Sequence, residues 1–149
     1  MANNYIVLGA NGGIGAETCN RLRDGGDNVF LAGRNQEQLE TLSKELDSPM
    51  QVLDATDIQQ VESCCEQATS EFGQLHGIVN CVGSVLLKPA HLTTANEWNE
   101  TIATNLTSAF ATVRAGYKSL KGHDNIIKAS ASVIKLSSLP RYLFKSSSV

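Results

Sequence analysis

Several things are scarce in this sequence, and each scarcity removes a class of function. Charged residues make up 18% of the 149 positions and the net charge is −3. Such a chain has no basic footprint to neutralise a phosphate backbone, so nucleic acid is not an expected partner. No apolar run approaches the ~20 residues that a membrane-spanning helix needs, so no membrane partner is expected. The cysteines are Cys19, Cys64, Cys65 and Cys81; they have no metal-ligand spacing and no secretory leader precedes them. We therefore expect reduced thiols, no metal site and a cytoplasmic protein. His76, His91 and His123 are scattered and receive no role. Aromatic residues are few, at 5%, yet 42% of the chain is apolar, which is enough for one soluble domain with a buried core.

What is present is an alternation. Short apolar runs at 5–8, 29–32, 50–53 and 78–80 are each followed by an amphipathic stretch, at 14–24, 36–46, 58–72 and 95–120. This order predicts an α/β fold, a Rossmann-like doubly wound parallel sheet with helices on both faces. In the third helix Ile58, Val61, Cys65, Ala68 and Phe72 recur at steps of three and four and form one apolar stripe. Asp57 with Gln60 and Thr94 with Glu97 have the spacing of capping boxes. Gly25 and Gly26 stop the first helix.

The first strand runs into Gly9-Ala10-Asn11-Gly12-Gly13-Ile14-Gly15. Glycines between a strand and a helix permit a tight turn and a close approach to a pyrophosphate, with the free N–H groups and positive dipole end of the helix behind them. A purely structural strand-to-helix turn is the alternative. Beyond the second strand, where an acid would accept from an adenosine 2′-hydroxyl, the chain has Ala32-Gly33-Arg34-Asn35. A guanidinium suits a 2′-phosphate, which favours NADP(H) over NAD(H). Against this, Arg34 could be a solvated residue at a helix start, and Gly12 stands where a second basic residue would strengthen the reading.

Over residues 4–115 the chain resembles the short-chain dehydrogenase/reductase family. The glycine loop matches the family's G-x-x-x-G-x-G pattern. Asp54, followed by Ala55, resembles its adenine-contacting aspartate, and Asn80-Cys81-Val82-Gly83 stands where the family has N-N-A-G. Thr104-Asn105-Leu106-Thr107 matches its N-L motif. The resemblance implies hydride transfer between a nicotinamide and a small-molecule carbonyl or alcohol. It assigns cofactor contacts to Gly9, Asn11, Gly12, Gly13, Ile14, Gly15, Arg34, Asp54, Ala55, Asn80, Val82 and Gly83, and to Asn105 a part in holding a proton-relay water.

The family's proton-transfer group is a serine at the end of the fifth strand followed by Y-x-x-x-K, in which lysine lowers the tyrosine pKa. In this chain the corresponding candidates are Ser130 or Ser132, Tyr142 and Lys145. Lys145 is three residues from Tyr142 rather than four, and Ser146 occupies the expected lysine position. From Lys128 onward there are four basic and no acidic residues, and seven serines. Residues 1–127 are therefore expected to form the dinucleotide-binding domain, incomplete at its C-terminal side, and 128–149 an atypical tail of frameshifted, truncated or divergent origin. Such an end would expose a parallel strand edge and the face of the 95–120 helix bearing Trp98, Ile102, Phe110 and Val113. The family's quaternary structure does not carry over, and a homo-oligomer is left open. Three readings remain: an oxidoreductase with an incomplete catalytic end, an NADP(H)-binding module without catalysis, and a fragment with no function.

Overall fold

The computed structural model describes residues 2–120 and the backbone of a strand at 126–129. The elements follow the predicted alternation: β1 (Asn4–Leu8), α1 (Gly13–Asp24), β2 (Asn28–Gly33), α2 (Gln36–Leu46), β3 (Met50–Val52), α3 (Ile58–Phe72) and β4 (Gly77–Asn80). A 3₁₀ turn at Ala90–Leu92, α4 (Ala95–Ile102), a π-helical segment at Ala103–Thr107, α5 (Ser108–Ser119) and β5 (Ile126–Ala129) complete it. The strands pair in parallel in the order β3-β2-β1-β4-β5. The chain thus winds outward from β1 in one direction and then crosses to the other side. Such a reversal opens a crevice beyond the carboxyl ends of β1 and β4.

Strand periodicity divides the core between the two faces. Ile6 and Leu8 of β1 join Phe30, Val61 and Ile78 on one side of the sheet, while Val7 joins Val29, Leu31, Leu39 and Cys19 on the other. The α3 stripe lies on the first face, where Phe72 meets Phe30 edge to face with ring centroids 6.3 Å apart. At the amino ends of the strands, the Asn4 side chain donates to the Gln74 carbonyl at 2.7 Å and accepts from Asn28 at 2.8 Å. The Asn4 backbone N–H donates to His76 Nδ1 at 3.0 Å. His76, given no role from sequence, therefore ties β4 to β1.

Two local expectations need correction. The 95–120 stretch is not one regular helix: between α4 and α5 the Ser108 N–H bonds to the Ala103 carbonyl, five residues back. Asp57 and Gln60 form only half a capping box. The Asp57 carboxylate accepts from the Gln59 and Gln60 N–H groups, but the Gln60 side-chain Oε1 accepts from the Asp54 N–H instead of the N-cap backbone. Thr94 and Glu97 form the complete box. Among the described strands β5 comes last in the sheet order, and on the 95–120 stretch Trp98 and Phe110 are 59% and 51% exposed. Ile102 and Val113 are half-buried.

Phe30 is 1% exposed at the centre of the larger core cluster. Phe30→Ala is expected to lower unfolding stability by about 3–5 kcal/mol in a urea titration; a loss below about 1 kcal/mol would contradict this account of the core.

Candidate nucleotide-binding site

The turn from β1 to α1 is held by the neighbouring strand. Gly9 and Ala10 both donate to the Ala32 carbonyl, at 2.8 and 3.0 Å, and Gly12 donates back to the Gly9 carbonyl at 3.0 Å. Gly9 has φ +77°, a left-handed conformation that side chains disfavour. Gly15 faces the same turn, and a Cβ there would run into the Gly9 carbonyl oxygen and lie 2.9 Å from the Ala10 Cα. Only hydrogen at this position lets α1 lie so close to the loop.

The start of α1 differs from those of α2, α3 and α4. Asn35, Asp57 and Thr94 cap α2, α3 and α4 with their side chains, whereas α1 begins at Gly12 with no side-chain cap and no acid in its first turn. Its orphaned N–H groups and dipole are left for an anion. Around Gly13 there is open space, since a Cβ there would meet nothing within 4 Å, and the Ile14 side chain is 74% exposed.

Beside this helix start lies a cavity of about 180 Å³. Gly9, Asn11, Gly12, Arg34, Asp54, Ala55, Val82 and Gly83 line it, so the structure brings together eight of the residues expected from sequence. Gly33, Thr56 and Thr104 line it as well and were not anticipated. Gly33 has a specific reason to be glycine, because a Cβ there would collide with the Asn11 side chain and approach Leu39. The Asn11 amide donates to Gln38 at 3.1 Å, so the loop, β2 and α2 meet at this point. One Asp54 oxygen, Oδ1, accepts from the Thr56 N–H at 2.9 Å and from its hydroxyl at 2.8 Å, which orients the carboxylate.

Asn80 is not at the cavity surface. It is fully buried, accepting from the Val82 N–H at 2.8 Å and donating to the Ser108 hydroxyl at 3.3 Å, and so shapes the turn that leaves β4. The Ser108 hydroxyl in turn donates to the Thr104 carbonyl at 2.6 Å. This supplies a partner within the π-helical segment, where the backbone ladder has shifted by one residue. Asn105 stands in that segment with its amide committed: Oδ1 accepts from the Ser84 N–H at 3.0 Å, while Nδ2 donates to the Ser84 and Thr101 carbonyls at 3.0 and 2.9 Å. The π turn rotates Asn105 onto the loop after β4 and fixes the start of that loop. Ser108 and the π turn left no recognisable pattern in the sequence.

Along the loop, Ser84, Val85 and Leu86 separate two wider cavities. One, of about 610 Å³, includes Arg34, Asp54 and Glu100. The other, of about 800 Å³, is an apolar groove lined by Trp98, Ile102 and Leu106. At its rim Lys88 donates to both Glu97 oxygens at 2.8 Å. Lys88 and the Thr94 backbone and hydroxyl hold the Glu97 carboxyl at about 2. Ser130, Ser132, Tyr142 and Lys145 lie outside the described residues.

Burial pushes Cys19 and Cys65 up to about 12 and raises Cys64 and Cys81 as well, and all four are free. Among the described residues no cluster of side chains could hold a metal ion, and no helix is long and apolar enough to cross a membrane.

Glycine turn, uncapped helix start and crevice at the strand reversal together define a Rossmann-like α/β fold. Residues 3–142 match the short chain dehydrogenase family, and the chain belongs to it. It is 33% identical over 135 residues to glycine betaine reductase ATRR of Emericella nidulans, covering 85% of this chain and 11% of that protein. It is also 33% identical over 113 residues to an uncharacterized oxidoreductase of Staphylococcus aureus strain MW2, covering 74% of this chain and 49% of the relative. A variant of actinorhodin polyketide ketoreductase, solved with NADPH, superposes with a TM-score of 0.76 at 26% identity, over 79% of this chain and 47% of that one. The chain thus spans about half the length of the Staphylococcus relative and of the ketoreductase, and a small part of the Emericella protein.

Glu97 yields a pH prediction. Its folded value lies below the ordinary 4.5, so its contribution to the start of α4 is complete above that value and is lost as pH falls toward about 2. Trp98, the chain's one tryptophan, lies in the first turn of α4. Its fluorescence should change in that acid window, and Glu97→Gln should remove the change. An identical acid step in both proteins would show that Glu97 does not govern it.

Proposed function

We propose that this chain binds NADP(H) in preference to NAD(H), and that it forms the nucleotide-binding part of a cytoplasmic oxidoreductase acting on a small-molecule carbonyl or alcohol. The observation that carries the cofactor reading is Arg34. It follows β2 directly and lines the cavity between the glycine turn and Asp54, at a position where a ribose-binding site for NAD(H) would have an acid.

The residues present fit such a group. The uncapped N–H groups at Gly13 and Ile14 would donate to the pyrophosphate oxygens, and the absent side chain of Gly13 leaves the room for them. Arg34 offers a planar pair of donors to the 2′-phosphate. Asp54, oriented by Thr56, accepts from the adenine amino group. Asn80 and Asn105 hold the backbone of the loop after β4, which forms the opposite wall. When bound, the nicotinamide supplies or accepts the hydride exchanged at the substrate carbon. The groups this chain has for the accompanying hydroxyl proton are Tyr142, with Lys145 to stabilise its phenolate, and Ser130 or Ser132 to hydrogen-bond the substrate oxygen.

A second reading, an NADP(H)-binding module without turnover, is favoured by one feature: Tyr142 and Lys145 are three residues apart instead of four. The two readings separate in one pair of assays. Tyr142→Phe should abolish substrate-dependent NADPH consumption if the chain is catalytic; an unchanged rate would remove Tyr142 from the reaction, and binding with no consumption in the unaltered chain supports the module.

The cofactor preference is tested on Arg34→Leu by thermal unfolding with saturating NADPH or NADH, since a ligand of the folded state raises the midpoint. Loss of the charged hydrogen bonds is expected to cost about 1.5–3 kcal/mol, roughly tenfold to a hundredfold in Kd for NADPH, with little change for NADH. Equal losses for both cofactors would show that Arg34 does not read the 2′-phosphate.

A further inference from the structure

We propose that Gln38, on α2, is a positioning residue: it fixes Arg34 at the distance from the glycine turn that NADP(H) needs, and so sets the preference between the two cofactors. This role rests on the reading of Arg34 as the partner of the 2′-phosphate. It falls to a residue outside the nucleotide cavity, which Asn11 and Arg34 line and Gln38 does not.

Asn11 is the bridge. Its side chain lies directly on Gly33, so closely that a Cβ at position 33 would collide with Oδ1. Gly33 is itself fixed in the sheet, opposite Val52 and accepting from the Leu53 N–H at 2.9 Å. From that anchored place the Asn11 Nδ2 donates to Gln38 Oε1 at 3.1 Å. Among the described residues this is the one side-chain hydrogen bond between the 9–15 turn and α2. Gln38 is the third residue of α2, and its backbone N–H donates to the Asn35 cap at 3.0 Å. Arg34 directly precedes that cap. Gln38 therefore holds two things at once: its side chain holds the turn, and its main chain holds the cap beside Arg34. The Arg34 side chain is exposed and, among the described residues, has no ion pair, so the placing of its main chain decides where the guanidinium reaches. A ligand that engages the turn and Arg34 together gains the second contact only if their separation matches its own. NADH has no 2′-phosphate and is indifferent to that separation.

Gln38→Met tests this role, because methionine keeps the length and helix propensity of glutamine and removes the acceptor. The full chain, Gln38→Met, Arg34→Leu and the double variant are each titrated with NADPH and with NADH, followed by nicotinamide fluorescence, and each is unfolded thermally without ligand. Gln38→Met should weaken NADPH about threefold to tenfold and leave NADH and the unliganded midpoint nearly unchanged. In the Arg34→Leu background it should add less than about twofold to the loss, since the two residues act on one contact. Gln38→Ala, which removes the same acceptor, should give the same split between the cofactors. Equal weakening of NADPH and NADH would show that Gln38 only steadies the fold, and full additivity with Arg34→Leu would show that it acts elsewhere; either result overturns the role. If Arg34→Leu itself fails to separate the two cofactors, the reading of Arg34 falls and the role of Gln38 falls with it. A selective loss in Arg34→Leu beside unchanged binding in Gln38→Met removes Gln38 alone.

Discussion

Gly9 and Ala10 give both their backbone N–H groups to one acceptor, the carbonyl of Ala32 at the end of β2. This shared bond holds the first loop down onto the sheet, and the site is built outward from it. It requires Gly9 to turn with positive φ, and it places the Gly9 carbonyl where only a glycine at position 15 can pass. Once α1 passes that close, its uncapped end faces the crevice where the strand order reverses. Arg34 and Asp54 reach the same crevice from the ends of β2 and β3, because parallel pairing brings the carboxyl ends of the strands to one edge. Moving this turn by the width of a methyl group would part the helix end from the two side chains.

The opposite wall depends on two asparagines that act on backbone rather than on ligand. Asn80 is buried and closes the turn after β4, while Asn105 clasps Ser84 from the π-helical segment. Ser108 links them, donating to the Thr104 carbonyl and accepting from Asn80. A regular helix would carry residue 105 to another angle, so the shifted backbone bond at Ser108 and Ala103 is a positioning device. The Asn105 side chain holds the loop, with both polar ends engaged.

Much of this was legible in the chain because the signals are local. Alternating apolar runs give the strands and helices, and glycines at fixed steps between β1 and α1 give the turn. Asp54, Asn80 and Asn105 emerged only as parts of a family pattern, although each has a clear physical task in the structure. What stayed hidden depends on contacts between distant segments. Gly33 must be glycine because of Asn11, 22 positions earlier, and His76 accepts from a backbone group 72 positions away. The π turn was hidden for another reason: Ala103–Thr107 has ordinary helical composition, and its irregularity is fixed by Ser84 and Asn80. The half-formed cap at Asp57 shows the same competition: the Gln60 side-chain oxygen accepts from the Asp54 N–H rather than from the N-cap backbone, while its NH₂ donates to the Asp57 carboxylate.

The central claim is that the uncapped start of α1 and Arg34 together hold the phosphates of NADP(H). Amide chemical shifts of the ¹⁵N-labelled full chain, recorded as NADPH is added, test it at individual atoms. The account predicts the largest changes at Gly13, Ile14 and Arg34, smaller ones at Asp54 and Val82, and little at the Asn4 and His76 end of the sheet. Saturable changes that left the start of α1 untouched, or no saturable change at all, would contradict it.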